Sequence, residues 1–307
     1  MTIILVFVII IVEMFSLSFS FEMAALRRCM VLLAVITMAF PLQAQTSGGQ
    51  RIVLTLYNGS TVGLWRDEGV TPRPYQTAAM MQGISMSGCV PARDGSGKWT
   101  IFGDFAASGG VITPKIIPIK KFSASGYYGA FNLSAGAMRE VWRNGAATWS
   151  IDVGASLSNY MAISYVSKYM NASFALSDLF QPELHFKAEY TLPGANPLVV
   201  TPGWFSAYGE LTVAPAGLAY RPGFSYIDNY TAGRETADYL FDTYLTGVTW
   251  LPHVEAELGV QFNLRSGNHI GLAYRWSYRS THGSDYWQYD EARHQIMVDF
   301  IFLLKKK

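Results

Sequence analysis

The stretch HVEAELGVQFNLR, His253 to Arg265, decides the fold. Val254, Ala256, Leu258, Val260, Phe262 and Leu264 alternate with His253, Glu255, Glu257, Gly259, Gln261, Asn263 and Arg265. A period of two is that of a β-strand, whose successive side chains point to opposite faces; a helix would need a period near 3.6. The run is also long. A soluble strand has typically about 5 or 6 residues, whereas roughly 9 to 11 tilted residues carry a strand across a bilayer.

Working outward, the same pattern recurs. Ile270, Leu272, Tyr274, Trp276 and Tyr278 oppose His269, Gly271, Ala273, Arg275, Ser277 and Arg279. Ile296, Val298, Phe300, Phe302 and Leu304 oppose Arg293, Gln295, Met297 and Asp299. Leu184, Phe186, Ala188 and Tyr190 oppose Glu183, His185, Lys187 and Glu189. Phe205, Ala207, Leu211 and Val213 oppose Ser206, Tyr208, Glu210 and Thr212, and the segment around Trp149 to Leu157 reads alike, with Ser150, Asp152 and Ser156 on its polar face. One face is apolar with aromatics at strand ends (Trp149, Trp250, Tyr274, Trp276, Tyr278), as a membrane-interface belt requires. The other is charged or small. Lipid offers backbone groups no partner, so a sheet there must close on itself. The expectation is an all-β, antiparallel transmembrane β-barrel of about 10–12 strands. A secreted β-sandwich, whose polar face meets water, is the alternative fold.

The strand candidates are Tyr127–Met138, Thr148–Ser158, Glu183–Leu192, Trp204–Ala214, His253–Arg265, Asn268–Arg279 and Arg293–Leu304, with weaker ones at Arg51–Tyr57, Met80–Val90, Lys98–Phe105, Tyr160–Lys168, Ala216–Tyr226 and Tyr239–Trp250. Val111 to Pro118 is read as a loop or lumen-filling segment, because its prolines cannot donate to a ladder; the role of 111–121 as a whole stays open. Residues 214–252, with Pro215, Pro222 and Pro252, read either as an extra hairpin or as one long external excursion. With the C-terminus in the periplasm, Arg265 to Asn268 is a tight periplasmic turn and Thr281 to Glu291 a long external loop.

Half of the 307 residues are hydrophobic and 15% are charged, which excludes a disordered chain. A net charge of +1 gives no footprint for nucleic acid. Met23 to Ala44 has the layout of a cleaved signal peptide: Arg27 and Arg28, an apolar core from Met30 to Phe40, and a small residue at its end. Residues 1–22 then read as an upstream extension ahead of the true start at Met23, and 45–307 as a single barrel domain. Cys29 leaves with the signal. Cys89 alone forms no internal disulfide and reads as a small buried residue.

The export signal MAALRRCMVLLAVITMAFPLQAQ (23–45), the alternating strands and the terminal segment HQIMVDFIF (294–302) resemble bacterial, Gram-negative outer-membrane β-barrel proteins. The segment LTVAPAGLAYRPGFSYIDNY (211–230), with the two strands after it, is similar to exported barrels of no assigned function. The resemblance implies a bacterial outer-membrane location, outer-membrane lipid around the wall, and the barrel-assembly machinery as a partner during biogenesis. Such proteins usually end in an aromatic residue; here Leu303, Leu304 and three lysines follow Phe302.

The candidate site is the charged inner face: Glu255, Glu257, Arg275, Arg279, Arg293 and Asp299. With Ser266 to Asn268 as a three-residue turn, Glu255 faces Arg279 and Glu257 lies diagonal to Arg275 and Arg279, either as a structural ladder filling the lumen or as a constriction that selects solutes. His253, Glu255 and Glu257 share one face, but neighbours two apart on a strand lie roughly 6 to 7 Å apart, too far to converge on one small ion. No cofactor and no metal is expected. The function expected is a non-enzymatic narrow solute channel or structural or surface-interaction component. The alternative is an outer-membrane lipid hydrolase or protease with its site at the external rim, where His282, Ser284 and Asp285 supply the residue types.

Overall fold

The computed structural model describes residues 51–67, 71–91, 97–114, 125–146, 148–166, 174–193, 195–196, 199–202, 204–222, 243–264, 268–281 and 288–304. The signal and upstream segments, the 265–267 turn and the His282, Ser284 and Asp285 loop lie outside them.

The strands are β1 Arg51–Asp67, β2 Thr71–Pro91, β3 Lys98–Pro114, β4 Gly126–Arg143, β5 Trp149–Tyr165, β6 Phe174–Thr191, β7 Ala195–Asn196, β8 Val199–Pro202, β9 Phe205–Pro222, β10 Thr243–Asn263, β11 His269–Ser280 and β12 Tyr289–Leu304. Ten of them close a wall in the order β1-β12-β11-β10-β9-β6-β5-β4-β3-β2, while β7 and β8 form a small separate hairpin. Every neighbouring pair in the wall is antiparallel. Closure between β1 and β12 (Ile52 opposite Leu304) leaves no edge unpaired, which is what lipid demands. Both ends of the wall, Arg51 and Leu304, lie at one rim, here the near end; the opposite rim is the far end.

Three expected strands are not separate elements. Tyr160–Lys168, Ala216–Tyr226 and Tyr239–Trp250 overlap the far-end portions of β5, β9 and β10. The strands run 12 to 21 residues, and the prolines that split them on paper sit at irregularities instead. The β6–β9 register shifts between Phe180 and Leu184, and the β10–β9 register shifts between Trp250 and His253. Pro182, Pro215 and Pro252 fall at these breaks, where no ladder N–H is needed. Leu251 takes a positive φ of 49° there. Within 214–252, residues 214–222 and 243–252 are therefore the far parts of β9 and β10, and 223–242 lie outside the described residues. Val111 to Pro114, expected as loop, close the far end of β3 against Tyr75 to Ala78.

The outside is apolar: Leu56, Leu184, Phe186, Leu211, Leu258, Leu272, Ile296, Val298 and Phe300 are exposed. Aromatics ring it. Trp149 stacks on Tyr190 at 4.9 Å, and Trp204, Phe205 and Phe262 cluster at the near end. Tyr127, Tyr165 and Tyr274 are exposed towards the other end. Side chains that would be surface in a soluble protein are buried inside: Glu183, His185, His253, Arg279, Glu291, Arg293 and Asp299 are each below 9% exposed. Two glycines make room for inward tyrosines of the next strand. Tyr57 lies over Gly83 and Tyr208 over Gly259, and neither glycine has space for a Cβ. Cys89 is half-buried on the inward face, 3.7 Å from Thr100 Oγ1.

Candidate functional site

Strand parity brings the inner polar groups together, and the closed wall makes neighbours of residues far apart in sequence. At mid-height Glu257 stands directly opposite Arg275 and Glu255 opposite Ser277, while His253 faces Arg279. The expected register is thus two residues out. Leu264 N–H bonds Asn268 C=O at 2.8 Å and Asn263 pairs with His269, where the expected register put Arg265 opposite His269. A shift of two keeps every side chain on its face, so the charges still meet, with different partners. Arg275 holds both carboxylates, at 2.7 Å to Glu257 and 3.3 Å to Glu255; Arg279 reaches Glu255 at 3.8 Å. Tyr208 donates to Glu257 at 2.6 Å. Asp299 is buried on β12 among the inward groups, and Tyr57 donates to Asp104 of β3 at 3.0 Å.

A second chain runs along β5, β6, β9 and β10. Ser156 Oγ is 2.8 Å from His185 Nε2, and His185 Nδ1 is 3.1 Å from Glu210 Oε1. Ser156 also donates to Glu183 at 3.2 Å, and Glu183 lies 2.8 Å from His253 Nδ1. Phe102 packs edge-on against the His185 ring, with centroids 5.4 Å apart. The arrangement has the order nucleophile, imidazole, carboxylate, inside an enclosed interior. Among the described residues no group of three or more His, Cys, Asp or Glu side chains is placed to hold a metal ion.

Towards the far end side chains bond across the width of the lumen. Glu291 of β12 accepts from Tyr128 at 2.7 Å, Tyr160 at 2.5 Å and Tyr289 at 2.6 Å. Arg293 pairs with Glu291 at 2.6 Å and also bonds Tyr160. Tyr160 belongs to β5, five places from β12 around the ten-strand ring, so these bonds span a diameter. Arg279 lies 4.2 Å over the Tyr160 ring, and Trp65, Tyr75, Ile112 and Leu179 pack around the same plug. A buried ion pair is tolerated when hydrogen bonds satisfy its remaining atoms; here three phenols do so.

All six expected lumen residues point inward, and Arg275, Glu255, Glu257 and Arg279 form one cluster. Arg293 and Asp299 do not join it: Arg293 belongs to the far-end plug. The sequence reading placed Glu183, His185, Glu210 and Ser156 on polar faces but did not connect them. Tyr160 escapes it because inward tyrosines look like interface aromatics in a period-two pattern, and Glu291 because Thr281 to Glu291 reads as an external loop, whereas β12 already begins at Tyr289.

No protein-family model matches the chain, and no curated protein matches it. Among solved structures it is similar to the outer-membrane protease OmpT of Escherichia coli, at 7% identity and a TM-score of 0.46, covering 85% of this chain and 100% of that one. It is also similar to the transport unit of the autotransporter AIDA-I of Escherichia coli (9% identity, TM-score 0.39, 89% and 97% covered). The translocator domain of the autotransporter NalP of Neisseria meningitidis is a third (13% identity, TM-score 0.34, 91% and 98% covered). The wall itself carries the conclusion: closed, antiparallel, apolar outside, belted with aromatics and polar within, the chain has the fold of a transmembrane β-barrel.

Proposed function

We propose that the protein is a closed, non-conducting barrel that serves as a structural or surface-interaction component of the outer membrane, without catalysis of its own. The observation that supports this reading is the bond from Tyr160 to Glu291 across the full width of the wall. A conduit needs an unobstructed lumen, and side chains alone can fill a barrel of this size. On this reading Glu255, Glu257, Arg275 and Arg279 stiffen the interior and select no solute. The test is single-channel recording of the folded protein in a planar bilayer. No conductance steps are expected from the wild type, and intermittent steps from a Tyr160→Ala, Glu291→Ala double variant. Stable, charge-selective wild-type steps that shift on Arg275→Gln would replace this reading with the solute channel.

One observation favours a second reading, a hydrolase. Ser156, His185 and Glu210 are spaced as nucleophile, base and orienting carboxylate. Ser156 also donates to Glu183, which holds its hydroxyl as a structural link. A fluorophosphonate probe separates the two: covalent labelling lost in Ser156→Ala establishes the hydrolase, and an unlabelled, folded protein leaves the closed barrel standing.

A further inference from the structure

The outward face is not uniform. Over β10 to β12 it is an apolar surface of Leu258, Phe262, Leu272, Ile296, Val298 and Phe300, interrupted by Tyr274 and His294, which bond each other. On β1 and β2 it carries three amides, Gln76 towards the far rim and Asn58 and Gln82 at mid-height. Asn58 and Gln82 are exposed and stand opposite each other across the β1–β2 ladder. Asn58 sits near the middle of its 17-residue strand. Leu54 and Leu56 lie on the same face towards one rim and Val62 and Leu64 towards the other, so these two amides are at the depth of the hydrocarbon. Neither side chain has a hydrogen-bond partner among the described residues. Three other outward polar groups are paired: Asn159 donates to Asp178 at 2.6 Å, Tyr274 pairs with His294 at 2.7 Å, and Arg66 pairs with Asp290 at the far rim.

An amide carries two donors and an acceptor oxygen with two lone pairs. Lipid satisfies none of them, and an unmet polar group there is costly. A single bond between Asn58 and Gln82 would still leave most of that capacity unmet. The neighbouring surface is low: Gly109 and Gly129 are cross-strand partners, and a Cβ at Gly109 would meet nothing nearer than 4.0 Å. A partner can therefore approach closely.

We propose that the outward face of β1 and β2 is a self-association surface, covered in the membrane by a second copy of this chain, with Asn58 of one copy bonding Gln82 of the other. The patch is uncharged and holds donors and acceptors alike, so it complements itself. Asn58 and Gln82 share one height. A two-fold axis along the membrane normal, passing outside β1 and β2, places each Asn58 against the other copy's Gln82, as an isologous contact requires.

The test is sedimentation equilibrium of the folded protein in density-matched detergent. The wild type is expected to dimerise, and Asn58→Leu, Gln82→Leu to weaken association about tenfold or more. Phe186→Ala, on β6 at the opposite wall, is expected to leave association unchanged. Folding of each variant is checked by its heat-modifiable gel migration. A second readout co-expresses an Asn58→Cys chain with a Gln82→Cys chain, both in a Cys89→Ser background, where oxidative cross-linking to a dimer in native outer membranes is expected. A monomeric wild type without such cross-linking, or a leucine variant that folds and associates like the wild type, would overturn the proposal. In the first of these outcomes a different protein, not a second copy, is the occupant to seek.

Discussion

The two levels of the lumen hold charge in different ways. At mid-height Arg275 is flanked by two carboxylates, Glu255 and Glu257, both on the neighbouring strand β10. At the far end Arg293 has one carboxylate, Glu291, and that carboxylate is tied to tyrosines on strands at the opposite side of the wall. The first arrangement is redundant and local, so it stiffens two strands. The second is single and crosses the barrel, so it ties opposite walls together. The proposed closure therefore depends less on how many charges point inward than on which of them reach the other wall.

This contrast sets the order of expected effects. Glu291→Ala leaves Arg293 buried without its carboxylate and should cost roughly 3–5 kcal/mol, read from urea unfolding of the folded protein in detergent. A loss no larger than that of Glu257→Gln would erase the distinction between the two levels. Gly83→Val drives two methyl groups into the Tyr57 ring and should cost about 1–3 kcal/mol. Restoration of stability in a Gly83→Val, Tyr57→Ala pair would identify that ring as the cause, and no restoration would reject it. Glu257→Gln should cost only about 1 kcal/mol, the worth of an ordinary hydrogen bond, because Glu255 still faces Arg275. Removing Glu255 as well should cost more than the two single losses together, which a double-mutant cycle measures. Arg66→Ala breaks a rim pair with Asp290 that water reaches, and its expected effect on the same unfolding curve is about 0–1 kcal/mol.

How far the sequence could be read follows from what a period-two pattern encodes. It assigns each residue to a face, so Glu255, Arg275, Arg293 and Asp299 were placed inside without any structure. It does not assign register, which a turn sets. With Asn263 rather than Arg265 opposite His269, the partner of Glu255 is Ser277 and not Arg279. Nor does it separate a bulge from a strand end: Pro215 and Pro252 looked like terminators, yet β9 and β10 run through them because the register slips where the N–H is missing. Inward aromatics were the hardest case. Tyr128, Tyr160 and Tyr289 follow the inner parity, but only their hydroxyl partners distinguish them from belt residues.

What the sequence determined by itself is the solvent of each face. Alternation over strands long enough to cross a bilayer demands lipid outside, polar groups inside and a wall without edges, since an unpaired backbone group in hydrocarbon has no substitute partner. What only the tertiary structure decided is which inner groups meet. Closing ten strands into a ring places Tyr160 and Glu291, 131 residues apart, within one hydrogen bond. Contacts across a barrel depend on strand number and stagger, which no local pattern of residues contains.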